Sequence, residues 1–85
     1  MISRNELLEH LISSIKKNAE IVIEEKDFDT DIVELGIDSI FAIEIANDIE
    51  EFLDIVIDDR DIGKFRSINV MLEYFDMVKK EKEKK

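Results

Sequence analysis

Three segments of this chain carry apolar residues at the three- and four-residue spacing of an α-helix, and this spacing restricts the fold to a helical one. The segments span residues 3–18, 39–53 and 68–80. Their apolar stripes are Leu7, Leu8, Leu11, Ile12 and Ile15; Ala42, Ile45, Ala46, Ile49, Phe52 and Leu53; and Ile68, Met71, Leu72, Phe75 and Val78. Because a chain of 85 residues is long enough for only one domain, we predict that the three stripes meet in one core.

The residues between these segments predict how the helices are joined. Residues 19–38 lack a helical period and form a long first loop, which apolar side chains should hold against the helices. These side chains are Ile21, Ile23, Phe28, Ile32 and Leu35. Residues 58–64 predict a short helix, with Asp58 or Asp59 as its cap. The predicted fold is all-α: a four-helix bundle of three main helices plus one short helix, with a long first loop.

The charge of the chain limits its partners. It has 22 acidic and 12 basic residues, which give a formal net charge of −10. Nucleic acids and anionic membranes both need clustered Lys and Arg, so we expect neither as a partner. Proteins with basic surfaces are the partners that this negative charge favours. Since there is no cysteine, we expect no disulfide. Since there is no long apolar run, we expect no signal segment and a soluble, cytoplasmic protein. We also expect the protein to be a monomer.

Residues 36–39, with the sequence Gly-Ile-Asp-Ser, form the candidate functional stretch. Ser39 lies at the start of the second predicted helix, where a serine usually acts only as a cap. Catalysis by a serine needs a base and an oxyanion hole, and neither is visible beside Ser39. A phosphate ester on Ser39 would instead face the free N–H groups and the positive dipole end of the helix. Chemistry done to Ser39 is therefore a better prediction than chemistry done by it.

An acidic pattern in the first loop suggests a different function. Asp27, Asp29 and Asp31 have the spacing of the first ligands of an EF-hand calcium loop. The match then fails, because Ile32 replaces the turn glycine and Asp38 replaces the bidentate glutamate. We predict no metal site, although a calcium-responsive helical protein is one alternative. The single histidine, at position 10, is predicted to be a plain surface residue.

Residues 34–40, with the sequence Glu-Leu-Gly-Ile-Asp-Ser-Ile, resemble the attachment motif of acyl carrier proteins and peptidyl carrier domains. The resemblance extends from the first helix to about Phe75. It implies a cofactor site at Gly36, Asp38 and Ser39, where a phosphopantetheinyl transferase attaches the 4'-phosphopantetheine arm of coenzyme A to the Ser39 hydroxyl. The arm would hold an acyl group as a thioester. The resemblance therefore implies a carrier protein and not an enzyme.

The resemblance also implies a docking face for acyl-loading and acyl-processing enzymes that have basic patches. By position, this face consists of Ile40, Phe41, Ile43, Glu44, Asn47, Glu50 and Glu51. Nine acidic residues and one basic residue lie between positions 38 and 61. We expect Ile40, Phe41 and Ile43 to form an exposed apolar patch, which usually marks an interface.

Departures from the fatty-acid carrier pattern bear on the pathway. Phe41 occupies a position where those carriers commonly have a small, polar or acidic residue, and Asp58 replaces a frequent proline. These departures favour a specialised fatty-acid, polyketide, peptide or modified-lipid pathway. The alternative function is an acidic helical adaptor that binds basic partners without a prosthetic group. We expect a carrier domain at residues 1–78, followed by a solvated Lys-rich C-terminal tail at residues 79–85.

Overall fold

Four α-helices make up the fold in the computed structural model, which describes residues 2–84. They are α1 (Arg4–Ala19), α2 (Ser39–Leu53), α3 (Asp59–Ile62) and α4 (Ile68–Glu83). The first loop contains one 3₁₀ turn, Glu25–Asp27, and residues 2–84 include no strand. The predicted all-α bundle of three long helices and one short helix is therefore confirmed. None of the helices in this range is long and apolar enough to cross a membrane.

Side chains that precede the helices fix where they begin. The Ser3 hydroxyl accepts a hydrogen bond from the Glu6 N–H, and the Glu6 carboxylate accepts one from the Ser3 N–H, which completes a capping box. The Ser67 hydroxyl accepts the N–H of Val70 at the start of α4. The Asp58 carboxylate caps the short α3. These caps satisfy backbone donors that a helix cannot bond internally.

The three apolar stripes meet in one core, as their spacing predicts. The side chains that are fully buried there include Leu7, Leu11, Ile15, Ile45, Ile49, Ile68, Met71 and Phe75. Burial of each such side chain contributes about 1.5 to 3 kcal/mol. The first loop adds the buried Ile23, Ile32 and Ile37, and Ile21, Phe28 and Leu35 pack partly against the core. The first loop is therefore held to the helices by its apolar residues, as predicted.

Two backbone hydrogen bonds also join the first loop to the chain around the start of α4. The Ile32 N–H donates to the Arg66 carbonyl at 2.8 Å, and the Asn69 N–H donates to the Phe28 carbonyl at 3.0 Å. Both bonds satisfy backbone groups that are not paired within a helix. The part of the loop that leads into α2 is thereby fixed at a defined distance from α4.

The lysine-rich segment continues α4 as far as Glu83. Lys79 is only 8% exposed, and its ammonium donates to the Ile2 carbonyl at 2.6 Å. The Lys82 ammonium donates to the carbonyls of Leu53 and Asp54 at the end of α2. The expectation of a solvated segment is wrong for Lys79, which is buried, whereas Lys82 is exposed and in addition binds backbone oxygens distant in sequence. The division of the chain after residue 78 stays a prediction.

The buried carboxylate of Asp76 joins α4 to the N-terminal part of the chain. Its oxygens lie 3.2 Å from the Arg4 guanidinium and 3.3 and 3.1 Å from the ammonium groups of Lys79 and Lys80. Burial alone would raise the pKa of Asp76, but Lys80 and Lys79 outweigh burial and lower it. The ionised carboxylate thus holds both ends of the described chain together.

Candidate functional site

A tight turn before α2 positions the candidate residues. Gly36 has φ +96°, a conformation that residues with a side chain rarely adopt, and a Cβ there would lie 3.4 Å from the Ile21 side chain. The Gly36 N–H donates to the Val33 carbonyl, and the Ile37 N–H donates to the Ile32 carbonyl. Ile37 is buried, whereas the next two residues are exposed. The turn therefore anchors itself through Ile37 and presents Asp38 and Ser39 at the surface.

Asp38 is the N-cap of α2. Its Oδ1 accepts the N–H of Phe41 at 3.0 Å, and its backbone carbonyl accepts the N–H of Ala42 at 2.9 Å. Ser39 is the first residue of the helix, so its side chain is not the cap. Within residues 2–84 the Ser39 hydroxyl has no hydrogen-bond partner, and the residue is exposed. A serine whose hydroxyl is not used for capping is accessible for modification.

The first turn of α2 also provides unbonded donors. The backbone N–H groups of Ser39 and Ile40 have no acceptor in the described part of the chain. Such groups, with the helix dipole, stabilise a negative charge at a helix N-terminus. The turn thus combines an exposed hydroxyl with unbonded N–H groups, an arrangement that fits a phosphate ester.

A groove of about 590 Å³ lies beside Ser39, between α2 and α3. Its apolar lining consists of Ile32, Val33, Ile37, Ala42, Ile43, Ile62 and Phe65. Arg66 is the one basic residue among the residues that line it, and Asp31, Asp38 and Asp59 add acidic groups. Val33 is 73% exposed. Sequence reasoning missed Val33 and Arg66 because both lie in irregular segments, where no periodic pattern marks a shared surface.

The exposed side of α2 carries most of the predicted docking residues. Ile40 is 65% exposed and Ile43 is 47% exposed. Glu44, Asn47 and Glu51 are exposed as well. Since successive helical residues are rotated by about 100°, these five residues share one side of α2. They form an apolar patch bordered by carboxylates, which we call the α2 face.

Two of the predicted docking residues are placed differently. Phe41 is half-buried and packs against the core, so the prediction of an exposed patch that includes Phe41 is wrong. Successive residues of an α-helix are rotated by about 100° around its axis, so Phe41 faces away from the side that carries Ile40. Glu50 is also half-buried, and its carboxylate accepts the N–H of Ile57 at 2.9 Å. This bond fixes the link between α2 and α3.

Comparison with protein-family models identifies the chain. Residues 9–75 match the model described as "phosphopantetheine attachment site". The chain belongs to this family. The predicted relationship to acyl carrier proteins is confirmed, as is the 4'-phosphopantetheine cofactor, which the family carries covalently on a serine. Neither the curated proteins nor the solved structures gave a match.

The match defines what this phosphopantetheine carrier does in general terms. Carrier domains of this family are non-catalytic and interact with a phosphopantetheinyl transferase and with acyl-processing enzymes. The bound arm supplies the thiol that holds an acyl group. The chain's own residues supply an exposed hydroxyl and a helix N-terminus at Ser39, and an acidic surface along α2.

Other polar groups of the carrier serve its packing. The Asp48 carboxylate of α2 accepts hydrogen bonds from Ser14 at 2.7 Å and Asn18 at 2.8 Å of α1. Burial would raise the pKa of Asp48, but these bonds and the charge of Lys17 lower it. The carboxylate therefore stays ionised and joins the two helices.

The single histidine and two acidic residues of the first loop form contacts within the protein. The His10 ring stacks on the Phe52 ring with centroids 3.8 Å apart. Asp29 accepts a hydrogen bond from the Asn69 amide, and Asp31 accepts one from the Val33 N–H. No cluster of three or more metal-binding side chains occurs in the part of the chain that the structure describes.

Proposed function

We propose that this carrier protein is modified with 4'-phosphopantetheine on Ser39 and delivers acyl intermediates, held as thioesters on that arm, to partner enzymes. One observation carries the proposal: the Ser39 hydroxyl is exposed and unbonded at the start of α2, next to the Asp38 cap. A group attached there extends into solvent beside the groove between α2 and α3. The positive end of the helix dipole favours the phosphate of the arm at this position.

The other serines of the matched region suit attachment less well. Ser14 and Ser67 are buried, and both hydroxyls form hydrogen bonds. Ser13 is exposed, but it lies in the middle of α1, where backbone N–H groups are bonded within the helix. Ser39 alone among the four combines exposure with a helix N-terminus.

Partner enzymes are proposed to dock on the α2 face. Its exposed Glu44 and Glu51 suit enzymes with basic patches, and Ile40 and Ile43 supply the apolar contact. The transferase would bind the same end of α2, because the hydroxyl that it modifies is on Ser39, the first residue of that helix. Phe41 and Glu50 are half-buried, and their part in docking stays a prediction.

The pathway is proposed from departures in the residues that follow the attachment motif. Phe41 and Asp58 differ from the residues usual in general fatty-acid carriers, which favours a specialised fatty-acid, polyketide, peptide or modified-lipid pathway. A monomeric state and a cytoplasmic location are parts of the same proposal. Mass spectrometry of the protein from its native cells tests the pathway, because the mass of the arm with its cargo identifies the acyl group.

Modification in vitro tests the attachment site. We expect the purified protein, incubated with coenzyme A and a broad-range phosphopantetheinyl transferase, to gain the mass of one phosphopantetheinyl group. Ser39→Ala should gain nothing, whereas the matched control Ser13→Ala should be modified like the wild type. An unmodified wild type would favour the acidic adaptor, and a modified Ser39→Ala would exclude Ser39 as the attachment site.

Charge reversal tests the docking face. The double variant Glu44→Lys/Glu51→Lys should slow modification by the transferase at low salt roughly tenfold or more, because it replaces attraction with repulsion. The control variant Glu9→Lys/Glu73→Lys changes the net charge equally at exposed positions of α1 and α4. Equal rates for the two double variants would show that only net charge matters and would contradict docking on the α2 face.

A further inference from the structure

The short helix α3 forms one wall of the groove beside Ser39, and of its four residues only Ile62 packs against the hydrophobic core. It has four residues, and none of them is buried. One isolated helical turn is unstable because helix nucleation is unfavourable. Its charged contacts are local, since Arg60 bonds to Asp58 at 2.8 Å and Lys64 bonds to Asp61 at 3.1 Å. The position of α3 therefore depends on contacts with the rest of the bundle.

One hydrogen bond connects α3 to α4. The Tyr74 hydroxyl donates to Oδ2 of Asp61 at 2.8 Å. Within residues 2–84 it is the one hydrogen bond between side chains that joins α3 to another helix. Ile62 adds an apolar contact, because it packs partly against the core.

The donor of this bond is held firmly. The Tyr74 ring meets the rings of Phe65 and Phe75 edge-on, with centroids 5.2 and 5.7 Å apart. Burial and the bond to Asp61 raise the pKa of Tyr74 to about 12, so the hydroxyl keeps its proton. The bonds from Tyr74 and Lys64 lower the pKa of Asp61, so its carboxylate remains an acceptor. Donor and acceptor are thus both in the required protonation state near neutral pH.

We propose that the Tyr74–Asp61 hydrogen bond is a latch that holds α3 against α4 and thereby sets the width of the groove beside Ser39. The α3 side of the groove is lined by Asp59, Ile62 and Gly63, and the α2 side by Ser39 and Ile43. Tyr74 and Asp61 do not line the groove, so they are positioning residues. The use of the groove to shelter the acyl cargo rests on the proposed function, whereas the latch itself does not.

The absence of native cysteine allows the groove width to be measured directly. Spin labels on the variant Ile43→Cys/Asp59→Cys would lie on the α2 side and the α3 side of the groove, at two exposed positions. We expect Tyr74→Phe, which removes only the hydroxyl, to shift the distance distribution to longer and broader values. Asp61→Ala should do the same, while Asp61→Asn keeps an acceptor oxygen and should remain close to the parent.

A second label pair separates the latch from general loosening of the fold. The variant Glu9→Cys/Glu51→Cys places labels on exposed positions of α1 and α2, away from α3. Its distance distribution should be the same with and without Tyr74→Phe. An unchanged distribution across the groove, or equal broadening in both pairs, would overturn the latch. Because these proteins carry no arm, this result does not depend on modification of Ser39.

Hydrolysis of a loaded thioester tests what the latch does for the cargo. Proteins carrying an octanoyl group on the arm should lose it roughly fivefold faster after Tyr74→Phe, the factor that one hydrogen bond supplies. Asp61→Asn should hydrolyse close to the wild-type rate. Equal hydrolysis rates for Tyr74→Phe and wild type would overturn the link between the latch and cargo shelter. Failure of Ser39 to accept the arm would instead overturn the proposed function and leave the label distances to decide the latch.

Discussion

The two ends of helix α2 use their polar groups in opposite ways. At the N-terminal end, the Ser39 hydroxyl and the N–H groups of Ser39 and Ile40 have no partner within residues 2–84. At the C-terminal end, the carbonyls of Leu53 and Asp54 accept hydrogen bonds from Lys82. The exposed groups at the N-terminal end are thus open to water or to an attached group, which is what the proposed modification requires.

The contrast extends to how each end is fixed. The N-terminal end is positioned by the residues just before it, through the turn at Gly36 and the cap at Asp38. The C-terminal end has local hydrogen bonds too, since the Ile55 N–H donates to the Glu50 carbonyl, but its last carbonyls are also bound by Lys82, which is distant in sequence. Local fixation holds the backbone at Ser39 while leaving its side chain unbonded. Changes at the N-terminal end should therefore affect both stability and modification, and changes at the C-terminal end should affect stability alone.

The largest effect is expected at Gly36. Gly36→Ala places a side chain at φ +96° and should lower the free energy of unfolding by about 1 to 2 kcal/mol, measured by urea denaturation. Gly63 is the matched control, because its backbone is α-helical and a Cβ there would meet the Arg60 carbonyl at an ordinary 3.7 Å. Equal losses in Gly36→Ala and Gly63→Ala would show that the turn at Gly36 is not specially constrained.

A smaller effect is expected at the cap. Asp38→Ala removes the acceptor for the Phe41 N–H and should lower the free energy of unfolding by about 1 kcal/mol. Asp38→Asn retains a capping oxygen, so it should unfold like the wild type in the same urea titration. If Asp38→Asn is modified more slowly despite normal stability, the transferase reads the carboxylate itself. Normal stability in Asp38→Ala would contradict the capping role.

The smallest effect is expected at the C-terminal end of α2. Lys82→Met removes the donor to the Leu53 and Asp54 carbonyls and should cost about 0.5 to 1 kcal/mol of unfolding free energy. Lys84→Met is the control, because its exposed side chain forms no hydrogen bond within the described residues. Both variants should be modified at the wild-type rate. A slower rate of modification in Lys82→Met would show that the two ends of α2 are coupled. That result would contradict the prediction that changes at the C-terminal end affect stability alone.

Local sequence patterns predicted much of this molecule. The bounds of α1 and α2 follow from apolar periodicity and from capping residues, and both are properties of neighbouring positions. The surface position of Ser39 follows in the same way, because Gly36 and Asp38 lie within three residues of it. Such features are predictable because the interactions that create them span one helical turn.

Contacts between distant residues were not predictable. The bond between Lys82 and the end of α2, and the bond between Tyr74 and Asp61, join residues whose partners no local pattern identifies. The half-buried position of Phe41 depends on how α2 is rotated against the core, and several apolar residues in its first turns left that rotation ambiguous. Long-range hydrogen bonds and the rotation of a helix against the core are therefore the features that local sequence patterns did not predict.

The central claim is that Ser39 is the residue that receives the arm. Its most direct test is fragment-ion mass spectrometry of the wild-type protein after modification with coenzyme A and a phosphopantetheinyl transferase. We expect the added phosphopantetheinyl mass to reside on Ser39 in every modified molecule. Localisation of that mass to Ser13, or to any other residue, would contradict it.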